Sequence, residues 1–231
     1  MDRKLYILYL TVFIDLLGFG LVIPILPIYA TELGASALIV GLIMAVYALM
    51  NFAFSPFWGS LSDKHGRKPV IAGTVFITAM AFLLLANAHN IAVLLIARAL
   101  AGVGSANIAT SQAYITDVTP REHRAKALGM IGAAFGLGFI FGPPVGGFLK
   151  QHYGMDAVGY VAMCLSLVNL VLVLLFLPES HHDRDSAHKV QMKPVTLAIR
   201  ALGNERYRDL FLTSFIYVTA FSMMTITAAL L

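Results

Sequence analysis

The sequence predicts an all-α polytopic membrane protein, and three observations carry the prediction. Hydrophobic residues make up 59% of the 231 positions and charged residues only 12%, with a mean hydropathy of +0.81. A soluble domain of this length needs more charge on its surface, so the solvent for this chain is a bilayer. Second, the apolar residues fall in seven runs, near 5–29, 37–61, 70–88, 91–116, 125–149, 155–177 and 210–231. Each is long enough to cross a hydrocarbon core of about 30 Å, which takes roughly 20 helical residues. Third, all but two of the 16 Lys and Arg residues fall on one side of the resulting zigzag.

That asymmetry sets the orientation. Arg3 and Lys4 precede the first run, and the same side receives Lys64, Arg67, Lys68, Arg121, Arg124, Lys126 and the cations of 184–208. Lys150 lies opposite and Arg98 lies inside a run. Positive loops stay in the cytoplasm, so the N-terminus is expected there, in a multi-pass cell-membrane protein. The formal net charge of +4 reports this asymmetry and not nucleic-acid binding.

The first run is too long, and too punctuated by Gly18, Gly20, Pro24 and Pro27, for a cleaved signal peptide. It carries Asp15 among Phe13, Ile14, Leu16 and Leu17. An ionised carboxylate there costs at least about 2.5–3.5 kcal/mol on insertion scales, so it needs a partner, a wet cavity or a proton. Hydrocarbon favours the acid and a nearby cation favours the carboxylate, the balance a proton-coupled carrier requires. A structural hydrogen bond to a neighbouring helix is the plainer alternative.

Between the second and third runs, residues 59–69 read G-S-L-S-D-K-H-G-R-K-P, expected as a charged turn. The fourth run holds Arg98, with Gly102 and Ala106 following at i+4 and i+8 as a small-residue stripe. A guanidinium does not relay protons readily, but it tunes a carboxylate, holds an anionic group or forms a structural ion pair. Asn51, Tyr47, Asn107 and Gln112 either line a cavity or bind neighbouring helices by hydrogen bonds. Asp117 and Arg124 flank a turn on the same side as Asp63 and Arg67, as a latch or as ordinary solvated charge.

On the fifth run Gly138, Gly142 and Gly146 recur every fourth residue beside Pro143, Pro144 and Gly147. The prolines are expected to kink this helix, and the bare stripe to serve close packing or substrate contact. The sixth run contains Cys164, the only cysteine, which excludes an intramolecular disulfide and a multi-cysteine metal site. Residues 178–208, with His181 and His182, read as a polar cytoplasmic linker after a 1–177 bundle. In the seventh run, 212–217 and Phe221 align with 10–15 and Phe19, and S-P-F-W-G at 55–59 echoes G-P-P-V-G at 142–146. The expectation is two inverted three-helix repeats, then residues 209–231 as the first helix of a second bundle.

Together these segments resemble the major facilitator superfamily. Residues 59–68 match its motif G-x-x-x-D-[RK]-x-G-R-[RK] between the second and third helices, through Gly59, Asp63, Lys64, Gly66, Arg67 and Lys68. Arg98-x-x-x-Gly102 resembles its fourth-helix motif, and Gly138, Gly142, Pro143, Gly146 and Gly147 its fifth-helix antiporter motif. Asp15 with the following Gly and Pro residues is similar to the first helix of the drug–proton antiporters. The resemblance implies a six-helix N-terminal bundle and proton-driven export of a small molecule by alternating access, with the proton as coupling ion and no other cofactor. It implies that Asp15 and Arg98, with Asn51 and Gln112, belong to the coupling and substrate region. Asp63, Arg67 and Asp117, with Lys64, Lys68 and Arg124, would gate the cytoplasmic side. Tetracycline exporters carry an acidic residue in the third helix, where this sequence has Ala81. The resemblance therefore points to a multidrug or other amphiphilic substrate. It further implies a second half as partner, so residues 1–231 alone are expected to be inactive.

A metabolite importer of the same superfamily is disfavoured by the fifth-helix motif, and a seven-helix receptor by the cytoplasmic N-terminus. No catalytic carboxylate pair, nucleophile triad or metal-ligand spacing suggests an enzyme.

Overall fold

The computed structural model describes residues 3–105, 107–180, 208–209, 212–217 and 219–220. Ala106, residues 181–207 with His181 and His182, and most of 209–231 with Phe221 lie outside the described residues. The chain divides into two compact units, Met1–Asp185 and Ser186–Leu231. In the second unit residues 212–217 are helical.

The first unit contains α1 (Arg3–Val22), α2 (Leu26–Glu32), α3 (Ala37–His65), α4 (Arg67–Ala86), α5 (Ile91–Gly104), α6 (Asn107–Val118), a 3₁₀ turn at Arg121–His123, and α7 (Arg124–Phe176). No strand occurs among the described residues. Helix starts follow local chemistry. The Ser36 hydroxyl accepts from Ile39 N before α3, and Asn90 Oδ1 accepts from Val93 N before α5. The first predicted run is two helices. Pro24 and Pro27 cannot donate backbone hydrogen bonds, so α1 stops at Val22 and α2 opens with Pro27 in its first turn.

The charged turn expected over 59–69 is confined to a single residue. Helix α3 runs on through His65, α4 starts at Arg67, and only Gly66 lies between them. Gly66 has φ +101° and ψ 157°, a region open essentially to glycine alone.

Five segments among the described residues are long and apolar enough to cross a membrane, the last being Arg121–Phe176. Its 56 residues would reach roughly 80 Å as one straight helix at about 1.5 Å per residue. Its contacts with α1 show that it turns back. Tyr9 Oη donates to Ala127 O at 3.0 Å, and Gly20 and Leu21 lie against Gly142 and Gly146, so the first limb runs with α1. Asn169 Nδ2 donates to Thr11 O at 3.0 Å while Gly18 faces Phe82 and Ala162, so the second limb runs against it. The reversal falls at Gly154, the one residue of α7 with non-helical angles (φ +85°, ψ 177°). Pro143 and Pro144 lie within the helical first limb and do not break it. The fifth and sixth predicted runs are these two limbs.

Glycine decides how closely the helices meet. A Cβ added at Gly142 would enter the backbone of Gly20, and one at Gly146 would enter that of Leu21. In lipid, where apolar side chains gain nothing by leaving solvent, such contact is a main source of helix association. The stripe Gly138–Gly142–Gly146 is therefore a packing surface against α1, whereas Gly147 meets nothing within 4 Å.

Two apolar clusters fill the bundle. One gathers Leu5, Leu8, Val12, Ile71, Val75, Tyr114 and Ile131. The other gathers Leu21, Val22, Leu26, Val40, Ile43, Phe82, Leu94 and Val158. Along α4 they meet near Thr78, between Val75 of the one and Phe82 of the other.

Candidate functional site: a buried polar cavity and a charged helix-end cluster

At this level lies a cavity of about 240 Å³, lined by residues that include Asp15, Phe19, Tyr47, Asn51, Thr78 and Arg98. Arg98 is 3% exposed, and its guanidinium lies 4.3 Å from the centroid of the Tyr47 ring. Its Nε has no hydrogen-bond partner. Gly102 explains the stacking. A Cβ there would run into the backbone of Tyr47, so its absence lets α3 close in and lay the ring over Arg98. Cation–π contact of a desolvated guanidinium contributes about 2 kcal/mol.

Asp15 takes a different partner. Asn107 Nδ2 donates to Asp15 Oδ2 at 2.6 Å, and Asp15 Oδ1 is buried without a partner. Among the described residues no ion pair joins Asp15 to Arg98. The two intramembrane charges share one cavity but are held by different neighbours. Asn51 lines the cavity and accepts from Ser55 Oγ at 2.9 Å. Gln112 is exposed and does not line it.

The second feature is a cluster at one end of the bundle. Arg67, itself buried, pairs through Nη1 with Asp63 at 2.6 Å and through Nε with Asp117 at 3.0 Å. Nη1 also donates to Ser62 Oγ at 2.6 Å. One side chain thus ties together the ends of α3, α4 and α6. Glu179 completes the arrangement. Its Oε1 accepts from Arg67 N at 2.8 Å and its Oε2 from Lys68 N at 3.3 Å. A carboxylate on the first free N–H groups of a helix is favoured by hydrogen bonding and by the helix dipole. A Cβ on Gly66 would strike that carboxylate, so glycine is needed there twice over.

Of the residues expected in this cluster, Asp63, Arg67 and Asp117 come together. Lys64 is exposed, Lys68 contributes its backbone N–H, and Gly59 has open space around it. Arg124 donates through Nε to Thr119 O at 3.1 Å and does not join Asp117. At the other end of the bundle Lys150 pairs with Glu32 at 2.6 Å. Sequence reasoning missed Glu179, Ser62 and the Tyr47–Arg98 stack. A glycine followed by Arg-Lys at a helix start hints at an anion, but nothing local names residue 179.

A bundle of membrane-length helices around a cavity that holds both Asp15 and Arg98 is the architecture of a multi-pass membrane protein. The sequence profile of the Major Facilitator Superfamily matches residues 8–231, and the chain belongs to that superfamily. It is similar to the quinolone resistance protein NorA of Staphylococcus aureus, 34% identical over 175 residues, covering 73% of this chain and 45% of that protein. It is also similar to the class B tetracycline resistance protein of Escherichia coli, 32% identical over 203 residues, covering 87% and 49%. Among solved structures, the human organic anion transporter MFSD10 (TETRAN) matches with a TM-score of 0.67 and 26% identity, over 77% of this chain and 48% of that one. The peptide transporter POT matches with a TM-score of 0.70 over 99% of this chain and 48% of that one; at 17% identity this likeness concerns the fold alone. The chain spans about half the length of the curated relatives it matches.

Proposed function

We propose that this chain supplies one half of a proton-coupled exporter of drugs or small amphiphilic molecules, working by alternating access in the cell membrane. The observation that carries the reading is the half-buried Asp15 carboxyl group, whose Oδ1 is enclosed without a partner and which lines the same cavity as Arg98 without an ion pair to it. A carboxylate at that depth, without a cation of its own, is a group that a proton can occupy and leave. Drug efflux is supported by the two resistance proteins among its relatives. The apolar cavity walls Leu16, Phe19, Val22, Phe82 and Phe135 suit an amphiphile.

In this reading Asp15 accepts the coupling proton, and Arg98 and Asn51 face the substrate. The Arg67 cluster fixes the cytoplasmic ends of three helices as the rigid part of a gate, which closes against the second half of the carrier. The N-terminus lies in the cytoplasm, following the distribution of Lys and Arg. The Gly138–Gly146 stripe keeps α7 against α1 so that the cavity does not leak along their seam.

The test uses everted membrane vesicles holding the complete carrier and a fluorescent cationic dye. An imposed proton gradient, acid inside, is expected to drive dye inward, and collapsing the gradient is expected to stop it. Gradient-driven accumulation in right-side-out vesicles instead would overturn export in favour of import.

A further inference from the structure

We infer that Asn107 is the positioning residue for Asp15. Its side-chain amide donates to the carboxyl group when that group is ionised and, rotated about its last side-chain bond, accepts from it when it carries a proton. The inference rests on the proposed reading of Asp15 as the proton-accepting group.

Asn107 is 1% exposed, and its Nδ2 lies 2.6 Å from Asp15 Oδ2. Its own Oδ1 is buried with no partner, an arrangement that ordinarily costs about 1–3 kcal/mol. An amide carries a donor and an acceptor on one planar group. The unused acceptor is therefore the half of Asn107 that the protonated form of Asp15 needs. When a hydronium ion gives a proton to Asp15 Oδ2, its O–H bond breaks to leave water and a new O–H bond forms on the carboxyl group; the Asn107 N–H withdraws and Asn107 Oδ1 accepts from the new hydroxyl. A hydrophobic residue serves neither state, and a second carboxylate serves only one.

The placement of Asn107 supports the assignment. Helix α5 ends at Gly104 and α6 begins at Asn107. Gly104 packs so closely on Thr74 and Thr78 of α4 that a Cβ would not fit, which holds the end of α5 against α4 beside the cavity. The charged or titratable cavity-lining groups that face Asp15 are Arg98 from α5 and Tyr47 from α3; α4 presents Thr78 and Phe82, and α7 presents Phe135. Arg98 stacks on Tyr47. Asn107 is thus the side chain hydrogen-bonded to an Asp15 oxygen.

Infrared difference spectroscopy of the chain in liposomes, between alkaline and acid buffer, tests this without any substrate. The carbonyl band of protonated Asp15 is identified by its loss in Asp15→Asn. It is expected to move to higher frequency in Asn107→Leu, where the hydrogen bond is gone, and to return towards the wild-type position in Asn107→Gln. Asn107→Ala gives the same readout should the leucine variant not assemble. An Asp15 band that stays in place in both apolar variants overturns the role of Asn107 and leaves the reading of Asp15 standing. The absence of any band removed by Asp15→Asn overturns both.

Discussion

The carboxylate of Glu179 closes on the backbone N–H of Arg67 at 2.8 Å, although the two residues lie at opposite ends of four consecutive membrane crossings. The contact brings the segment leaving the sixth crossing onto the first turn of α4, beside the Arg67–Asp117 pair. Tyr114 adds a second tie, donating from Oη to Pro178 O at 2.8 Å.

Glu179→Gln keeps the shape but removes the charge from a helix N-terminus, and is expected to cost about 1 kcal/mol. Gly66→Ala is expected to cost more, about 1–3 kcal/mol, because it strains the backbone and pushes the carboxylate away. Thermal unfolding of the detergent-solubilised chain checks both, with Gly66→Ala the less stable.

The two arms of Arg67 are unequal. The Asp63 side chain is 49% exposed and that of Asp117 is 26% exposed. Asp63→Asn is expected to cost under about 1 kcal/mol, as exposed pairs do. Asp117→Asn is expected to cost about 1.5–3 kcal/mol, as a charge-assisted bond to a buried partner does. The same unfolding assay reads the order, and equal losses would show that burial does not govern this cluster.

The α1–α7 seam depends on missing side chains. Gly142→Ala is expected to destabilise the chain by about 1–3 kcal/mol through overpacking against Gly20. Gly73→Ala, at a helical position with nothing within 4 Å, is expected to be neutral or slightly stabilising. Protease resistance of the two variants in liposomes distinguishes them.

Tyr47→Leu removes the ring under Arg98 and is expected to raise the KM for a transported dye by up to roughly 30-fold, the equivalent of a contact of about 2 kcal/mol. Tyr47→Phe retains the aromatic face and is expected to stay near wild type. Dye transport at varied concentration measures both.

Much of the membrane topology was legible because hydropathy is a local property. The runs at 37–61 and 70–88 correspond to α3 and α4, with boundaries a few residues off. That Asp63, Arg67 and Asp117 share one end of the bundle was legible from the charge distribution and the family resemblance; helical spacing does not explain the Asp63–Arg67 pair, because Gly66 interrupts the helix between them. The split at Pro24 was marked by its prolines, yet an apolar run hides a break that costs no hydrophobicity. The partners of Asp15, Arg98 and Glu179 were not legible in the same way. Each depends on which helices become neighbours, and that is set by where glycines such as Gly102 and Gly142 permit close approach.

The central claim is that Asp15 couples a proton to substrate movement. The direct measurement compares gradient-driven dye accumulation with dye exchange at equal pH, for wild type and Asp15→Asn, in proteoliposomes of the complete carrier. The account predicts that Asp15→Asn loses gradient-driven accumulation while exchange continues. Undiminished gradient-driven accumulation in that variant would contradict it.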